Sequence, residues 1–261
     1  MKSQSFDFTR NFRLDGKCAF VTGGSSGLGY AIAEAFAASG ADVAIMSRRL
    51  NAVRAAAKKI KSSTKKNALA VAGDVRNEKD IKNAVKKIIS RFGKIDILVT
   101  SAGINIRRPS ADFPDKEFHE VLETNLFGTW LCCKIVGNYM IGRRYGRIIT
   151  LGSMMSIISL PERAAYSASK AGVLQIARTL ALEWAKYNIT VNCICPGPFD
   201  TEINAQIFSN PAIRKFFLDN IPVGRFGIPE EVGALAVFLA SDACPYMTGS
   251  PILMDGGWTA R

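Results

Sequence analysis

Residues 18–40 read CAFVTGGSSGLGYAIAEAFAASG, and their reading decides the fold. A run of strand formers ends at Thr22, a glycine- and serine-rich turn follows, and from Gly27 apolar residues recur at helical spacing. A strand entering a helix through such a turn opens a βαβ unit. Gly23 supplies the tight turn, Gly27 lets the backbone approach a diphosphate, and Gly29 permits close helix packing. Thr22, Ser25, Ser26 and Leu28 complete the turn, whose free N–H groups lie at the positive end of the helix dipole. The alternative is a turn that only connects two elements.

Outward from this stretch the pattern repeats. Apolar runs at 41–46 (ADVAIM), 68–73 (ALAVAG), 95–100 (IDILVT), 146–152 (GRIITLG) and 189–194 (ITVNCI) are each separated by enough chain for a crossover helix. Helical spacing and flanking breakers predict helices over 27–39, 49–63, 77–91, 115–141, 164–187 and 229–240. The strands lack polar alternation, as expected when helices cover both faces of a sheet. The expectation is one α/β domain over 14–261, doubly wound and Rossmann-like, with a parallel sheet of about seven strands. Residues 1–13 read as an N-terminal extension. The stretch 198–227 breaks the alternation, mixing Pro211 and Pro222 with Phe208, Ile213, Phe216 and Phe217, and reads as a substrate lid.

Composition narrows the class. Of 261 residues, 48% are hydrophobic and 21% charged, enough apolar side chain for a large core and too little charge for disorder. No run is long and apolar enough for a membrane span or a signal peptide. The expected location is therefore the cytosol, with a short organelle-targeting role of the basic, hydroxyl-bearing N-terminus as the lesser alternative. The six cysteines form no CxxC pair and have no histidine cluster beside them, so they read as reduced core thiols and no metal is expected. His119, the one histidine, falls on a polar helix stretch and reads as solvated. The net charge of +12 suits nucleic acid, anionic membrane or a small acidic ligand. Its densest stretch, Lys58 to Lys66, reads as a solvated helix end, so the partners expected are small molecules, with neither nucleic acid nor membrane.

After the second strand a dinucleotide fold needs a group for the adenosine ribose, and a carboxylate there repels a 2′-phosphate. Here Ser47-Arg48-Arg49 stand instead. Charge-assisted Arg contacts contribute roughly 1.5–3 kcal/mol each, so this position favours NADP(H) unless the arginines merely face solvent. Asp74-Val75 after the third strand are candidates for the adenine, and Ser101-Ala102-Gly103 after the fourth let the cofactor lie against the strand ends; either is otherwise an ordinary cap or turn.

At the fifth strand's end stands Ser153, followed by Tyr166 and Lys170 four residues apart on one helix face. A phenol ionises near pH 10, so base chemistry near neutrality costs roughly 4 kcal/mol, much of which a neighbouring cation offsets. Ser153 is a neutral donor able to hold a substrate oxygen while Tyr166 exchanges a proton. The YxxxK spacing alone is weak. The order of glycine turn, serine and YxxxK gives it force, because all three then reach the carboxyl edge of one sheet.

These residues together resemble the short-chain dehydrogenase/reductase family, over nearly the whole chain from Leu14 to Arg261. The resemblance aligns Thr22 to Gly29 with the family's TGxxxGxG turn, and Asn125 (in ETNLFGTW), Ser153, Tyr166 and Lys170 with its catalytic tetrad. It implies that Asn125 holds a water in a proton relay and that Lys170 also meets the nicotinamide ribose. It further implies that Pro196-Gly197 with Thr201 contact the nicotinamide amide, and that the protein is a homotetramer or homodimer. One departure is Ser101, where the family has a structural asparagine.

Within the family, INIRRPSADFP (104–114), GSMMSIISLPERAAYSASKAG (152–172) and DGGWTAR (255–261) are most similar to gluconate 5-dehydrogenases and their relatives acting on 2-dehydro-3-deoxygluconate. The resemblance implies an NADP-dependent oxidoreductase acting on a secondary alcohol or ketone of a sugar acid. Arg107, Arg108 and Arg163 offer cations for a carboxylate unless they pair with nearby acids; Met154 and Met155 line the pocket or fill its wall. The competing expectations are 3-oxoacyl-thioester or broad carbonyl reduction, and, from another class, a protein that binds a dinucleotide or nucleic acid without catalysis.

Overall fold

Strands buried at every residue need cover on both faces, and β1 (Cys18–Thr22), β4 (Ile97–Thr100), β5 (Gly146–Leu151) and β6 (Ile189–Pro196) are of that kind. In the computed structural model, which describes residues 7, 9–201 and 209–260, they form the centre of a seven-stranded sheet. Its flanks are β2 (Asp42–Ser47), β3 (Ala68–Ala72) and β7 (Pro251–Met254), in the order β3-β2-β1-β4-β5-β6-β7. Every neighbouring pair is parallel. This is the doubly wound, Rossmann-like α/β fold.

Strand alternation divides the core between two faces. Val21, Val43, Ile45, Val99 and Ile149 point toward α1 (Gly27–Ala38), α2 (Leu50–Thr64) and α8 (Pro229–Ala240), where Ile32, Phe36, Val53, Ile60, Val232 and Leu239 meet them. Phe20, Leu98, Ile148 and Val191 point the other way, toward α3 (Glu78–Phe92), α5 (Gly128–Arg143) and α6 (Ala164–Trp184). Gly233 of α8 lies so close to α1 that an added Cβ would stand 2.8 Å from Ala35 Cβ and 3.1 Å from the Ala31 carbonyl oxygen.

From β1 the chain winds through β2 to β3 on one side, and from β4 through β5 to β7 on the other. The carboxyl ends of β1 and β4 therefore flank a switch point, where open α/β sheets hold ligands.

The helix expected over 115–141 is α4 (Asp115–Leu122) running into α5 through a π-turn at Glu123–Phe127. The one expected over 164–187 is α6 followed by a 3₁₀ turn at Ala185–Tyr187. Strand β7 lies outside the apolar runs that mark the other six strands. Residues 1–6 and 8 of the N-terminal extension lie outside the described residues; the remainder forms a 3₁₀ turn at Arg10–Phe12, with the Phe12 ring stacked 5.9 Å from that of Phe238. Of the lid stretch, 202–208 lie outside the described residues. The rest holds a bridge between Phe199 and Gly227 and a helix, α7 (Pro211–Asp219), whose first turn is capped by the Asn210 side chain. Among the described residues no helix is long and apolar enough to cross a membrane. Five of the six cysteines are buried and His119 is exposed.

Candidate active site

Gly23 leaves β1 at φ +69° and donates its N–H to the Met46 carbonyl at 2.8 Å. A Cβ there would stand 2.7 Å from the Ala102 nitrogen, and one on Gly29 would stand 2.5 Å from the Gly23 carbonyl oxygen. Both glycines are thus required by close backbone approach. Gly27 differs: its φ is +55°, and a Cβ would meet nothing within 4 Å. The space beside it is open, and Ser26, the N-cap of α1, makes no side-chain capping bond. Uncapped first-turn amides, a positive helix end and room for an approaching group fit a diphosphate. A dinucleotide therefore suits the residues present. Ser25, Ser26, Gly27 and Leu28 are half-buried along this cradle, above buried Thr22.

At the ribose position β2 ends in Ser47, whose hydroxyl donates to the Arg49 carbonyl at 3.4 Å, while Arg48 and Arg49 are exposed. No acid stands at this strand end. The Asp74 carboxylate is engaged by Arg76, which donates Nη2–H at 2.6 Å. That guanidinium holds the Asp74 carboxyl below the usual carboxylate range, with the nearby charge of Arg48 adding to it. Val75 is buried under Gly128 of α5.

After β4, Ser101 donates its N–H to the Thr22 carbonyl at 3.3 Å, extending the pairing of the two strand ends. Ala102 packs its backbone on Gly23. Gly103 borders Asn125 and Lys170: a Cβ there would stand 3.1 Å from Asn125 Oδ1 and 3.7 Å from Lys170 Nζ.

The four tetrad positions are linked through intermediaries: Ser156 Oγ accepts from Ser153 N–H and donates to the Lys170 carbonyl, and Ser169 Oγ accepts from Asn125 and donates to the Tyr166 carbonyl. Lys170 Nζ donates to the Leu151 carbonyl at 2.7 Å and lies 5.6 Å from the centroid of the Tyr166 ring. Ser153 caps the 3₁₀ turn Met154–Ser156, accepting from Met155 N–H at 3.1 Å, and Ser156 Oγ donates to the Lys170 carbonyl at 2.8 Å. Asn125 sits in the π-turn, a helix irregularity often found at functional sites. Its Nδ2 donates to the Ile104 carbonyl at 2.9 Å and to Ser169 Oγ at 3.0 Å, and its Oδ1 accepts from Ile104 N–H at 2.8 Å. Asn125 thereby holds the loop after β4 against α6. Asn125, Ser153 and Lys170 are buried, whereas Tyr166 is partly exposed, the one of the four open to a ligand.

Beside Tyr166, Met154 and Met155 are buried in an apolar cluster with Phe217, Ile221 and Trp258, against which the Tyr166 ring packs. Sequence reading missed Trp258. It lies 5.5 Å from the Phe217 ring and 6.1 Å from that of Phe216, fastening α7 beside the site. Its signal was an aromatic residue behind Gly256 and Gly257, both with positive φ. Pro196-Gly197 close the end of β6, where a Cβ on Gly197 would stand 2.6 Å from Asp255 Cα; Thr201 lies at the margin of the described residues.

The three arginines have different fates. Arg108 is exposed and forms a two-pronged bond with Glu117 at 3.0 and 3.1 Å. Arg107 is half-buried, and burial pushes its guanidinium below the ordinary value. Arg163 is buried at the N-cap of α6, where burial and then the charge of Arg107 push it down to about 10.

The chain is similar to known dehydrogenases and reductases. A family model described as enoyl-(acyl carrier protein) reductase matches residues 23–259. An NAD-dependent glycerol dehydrogenase of Listeria innocua is 37% identical over 254 residues, covering 97% of this chain and 98% of its own length. A 3-oxoacyl-(acyl-carrier-protein) reductase of Chlamydia trachomatis is 35% identical over 244 residues, covering 94% of this chain and 98% of its own length. The crystal structure of a gluconate 5-dehydrogenase from Burkholderia cenocepacia in complex with NADP and tartrate has a TM-score of 0.92 at 32% identity, covering 96% of this chain and 98% of that one.

Proposed function

Because this chain belongs to the short-chain dehydrogenase/reductase family, an oxidoreductase family acting on CH–OH groups, we propose that it interconverts a secondary alcohol and its ketone on a sugar acid, using NADP(H). The observation that carries the reading is the anchored Lys170 ammonium 5.6 Å from the ring of a partly exposed Tyr166, next to the open glycine cradle. When bound, the nicotinamide accepts or supplies the hydride. Tyr166 takes the alcohol's proton or returns it to the ketone oxygen, and Lys170 stabilises negative charge developing on the phenolic oxygen. Ser153 Oγ, at the end of β5, donates to the substrate oxygen. Asn125 spends its amide on the Ile104 backbone and Ser169, fixing the loop that carries Gly103 and leaving the relay path defined by rigid groups. Gly23 to Gly29, Asp74-Val75, Ser101 to Gly103, Pro196-Gly197 and Thr201 line the dinucleotide's course in this reading.

Steady-state assays of D-gluconate and its keto acids with NADP(H), run beside acetoacetyl thioesters, test it. Turnover of a sugar acid or polyol is the expected result; activity on none of them overturns the reading. A second reading, thioester reduction, draws on the apolar wall of Met154, Met155, Phe217 and Trp258, which suits an acyl chain. Preference for the thioester would favour it.

The cofactor preference rests on Ser47, Arg48 and Arg49. Ser47→Asp combined with Arg48→Leu adds a carboxylate that accepts from a free ribose 2′-hydroxyl and removes a cation facing the phosphate. The NADP/NAD ratio of kcat/KM is expected to fall by roughly one to two decades. An unchanged ratio would show that the phosphate lies elsewhere.

A homotetramer or homodimer is part of the same reading. It is supported by an apolar groove of about 610 Å³ between α5 and α6, lined by Leu126, Phe127, Trp130, Ile176 and Leu180. Light scattering on the eluted protein is expected to give two or four times the chain's mass; a monomer at micromolar concentration would refute it.

A further inference from the structure

Arg163 is the N-cap of α6, the positive end of a helix, where a cation is electrostatically disfavoured. It is only 7% exposed, and its Nε has no hydrogen-bond partner among the described residues. Nη1 reaches the Pro161 carbonyl at 3.5 Å and the Glu162 carbonyl at 3.3 Å, and the nearest carboxylate, that of Glu162, stands 4.0 Å away on a side chain 53% exposed. The loop bearing Arg107 is joined to this corner by Arg108 N–H, which donates to the Glu162 carbonyl at 3.4 Å; Arg107 itself is half-buried, has no ion pair among the described residues, shares the influence of Glu162 and repels Arg163. Burying a guanidinium with so little compensation is unfavourable, and pressing a second one against it more so. The fold offers a contrast at its opposite edge. Arg147 is also buried and its Nε likewise lacks a partner, but it has Asp242 at 3.5 Å, two carbonyls and the face of Tyr145 around it. Arg108 is already occupied by Glu117. Two cations thus remain under-compensated, and one of them, Arg163, stands at the end of α6 whose first turn carries Tyr166.

Resting on the sugar-acid reading above, we propose that Arg163 and Arg107 form an anion subsite that receives the substrate's carboxylate and sets the preference for acids over neutral polyols. An anion there relieves the repulsion between the two guanidinium groups and satisfies donors that protein atoms leave open. It also anchors one end of a ligand whose hydroxyl, a few carbons away, meets Tyr166. A carboxylate suits two guanidinium groups because each offers parallel N–H donors to its two oxygens.

The test uses Arg163→Met, Arg163→Lys and Arg107→Met in the full-length enzyme loaded with NADP(H). One readout is the ratio of kcat/KM for D-gluconate over that for D-glucitol, its neutral counterpart. The other is calorimetric affinity for tartrate, a small dicarboxylate. Each Met variant is expected to lower the ratio and the tartrate affinity at least tenfold, with Arg163→Lys recovering part of both. A uniform loss on both substrates with the ratio unchanged would assign Arg163 a structural role and overturn the subsite, as would an equal effect from Arg108→Met. Absence of tartrate binding to the unsubstituted enzyme also overturns it. If that enzyme turns over neither substrate, the sugar-acid reading fails while tartrate affinity still decides the subsite. Should Arg163→Met not fold, Arg107→Met, at a half-buried position, carries both measurements.

Discussion

Replacing Tyr166 with Phe is expected to lower kcat by roughly 10²–10⁴-fold, the usual worth of a positioned acid/base group, while NADPH affinity measured by fluorescence titration stays within a few-fold. The substitution removes one oxygen. The ring keeps its packing against Met154 and Met155, and the Lys170 bond to the Leu151 carbonyl does not involve the phenol. The buried members of the tetrad are likewise undisturbed, because Asn125 bonds to Ile104 and Ser169 and Ser153 bonds to Met155. Loss of turnover with retained cofactor binding therefore isolates proton transfer. Retention of most activity would remove Tyr166 from the chemistry and leave Ser153 as the next group to suspect.

The second large effect is expected at Gly23. Alanine there suffers twice: its φ of +69° costs an L-residue roughly 1–2 kcal/mol, and its Cβ would stand 2.7–2.8 Å from backbone atoms of Ser101 and Ala102. Backbone cannot rotate away as a side chain does, so overpacking adds roughly 1–3 kcal/mol. Gly23→Ala is thus expected to lower Tm by roughly 10 °C, at about 2–4 °C per kcal/mol for a chain of this size, and to weaken cofactor binding by separating β1 from β4. Gly27→Ala is the control. Its Cβ meets no protein atom, so thermal stability should suffer less, while the group it introduces occupies the cradle and cofactor affinity falls. Equal Tm values for Gly23→Ala and the unsubstituted protein would mean that the two strand ends do not approach as described.

Much of this architecture is legible in the chain because buried parallel strands leave an unmistakable mark. Ala-Phe-Val or Ile-Ile-Thr cannot face water on either side, and the glycines at 23, 27 and 29 mark where the first strand turns into its helix. What escaped has physical reasons. Strand β7 is a short edge strand that begins with proline and pairs on one side only, and its residues are partly exposed, so it lacks a continuous buried run. The π-turn at Asn125 does not disturb the apolar spacing of 115–141; it is associated with a side chain that bonds to Ile104 and Ser169, partners distant in sequence. Helix α7 does carry a start signal, Asn210 before Pro211, which the mixed composition of the surrounding loop obscured. The arginines show the limit most clearly. Arg107 and Arg108 are adjacent and identical in type, yet one is bound by Glu117 and the other is left beside Arg163. Spacing reports neither outcome.

The packing of Gly233 against Ala31 and Ala35 has a bearing on how the molecule is made. Helix α1, which opens the nucleotide cradle, is synthesised early, but part of its apolar flank is covered by α8 at residues 229–240. Contacts so far apart in sequence close late and slow the search for the native topology. During translation the nucleotide half accordingly emerges with Ile32 and Phe36 only partly sheltered, a state in which apolar surface invites aggregation. The apolar flank of α1 thus stays without its α8 cover until residues 229–240 have been made.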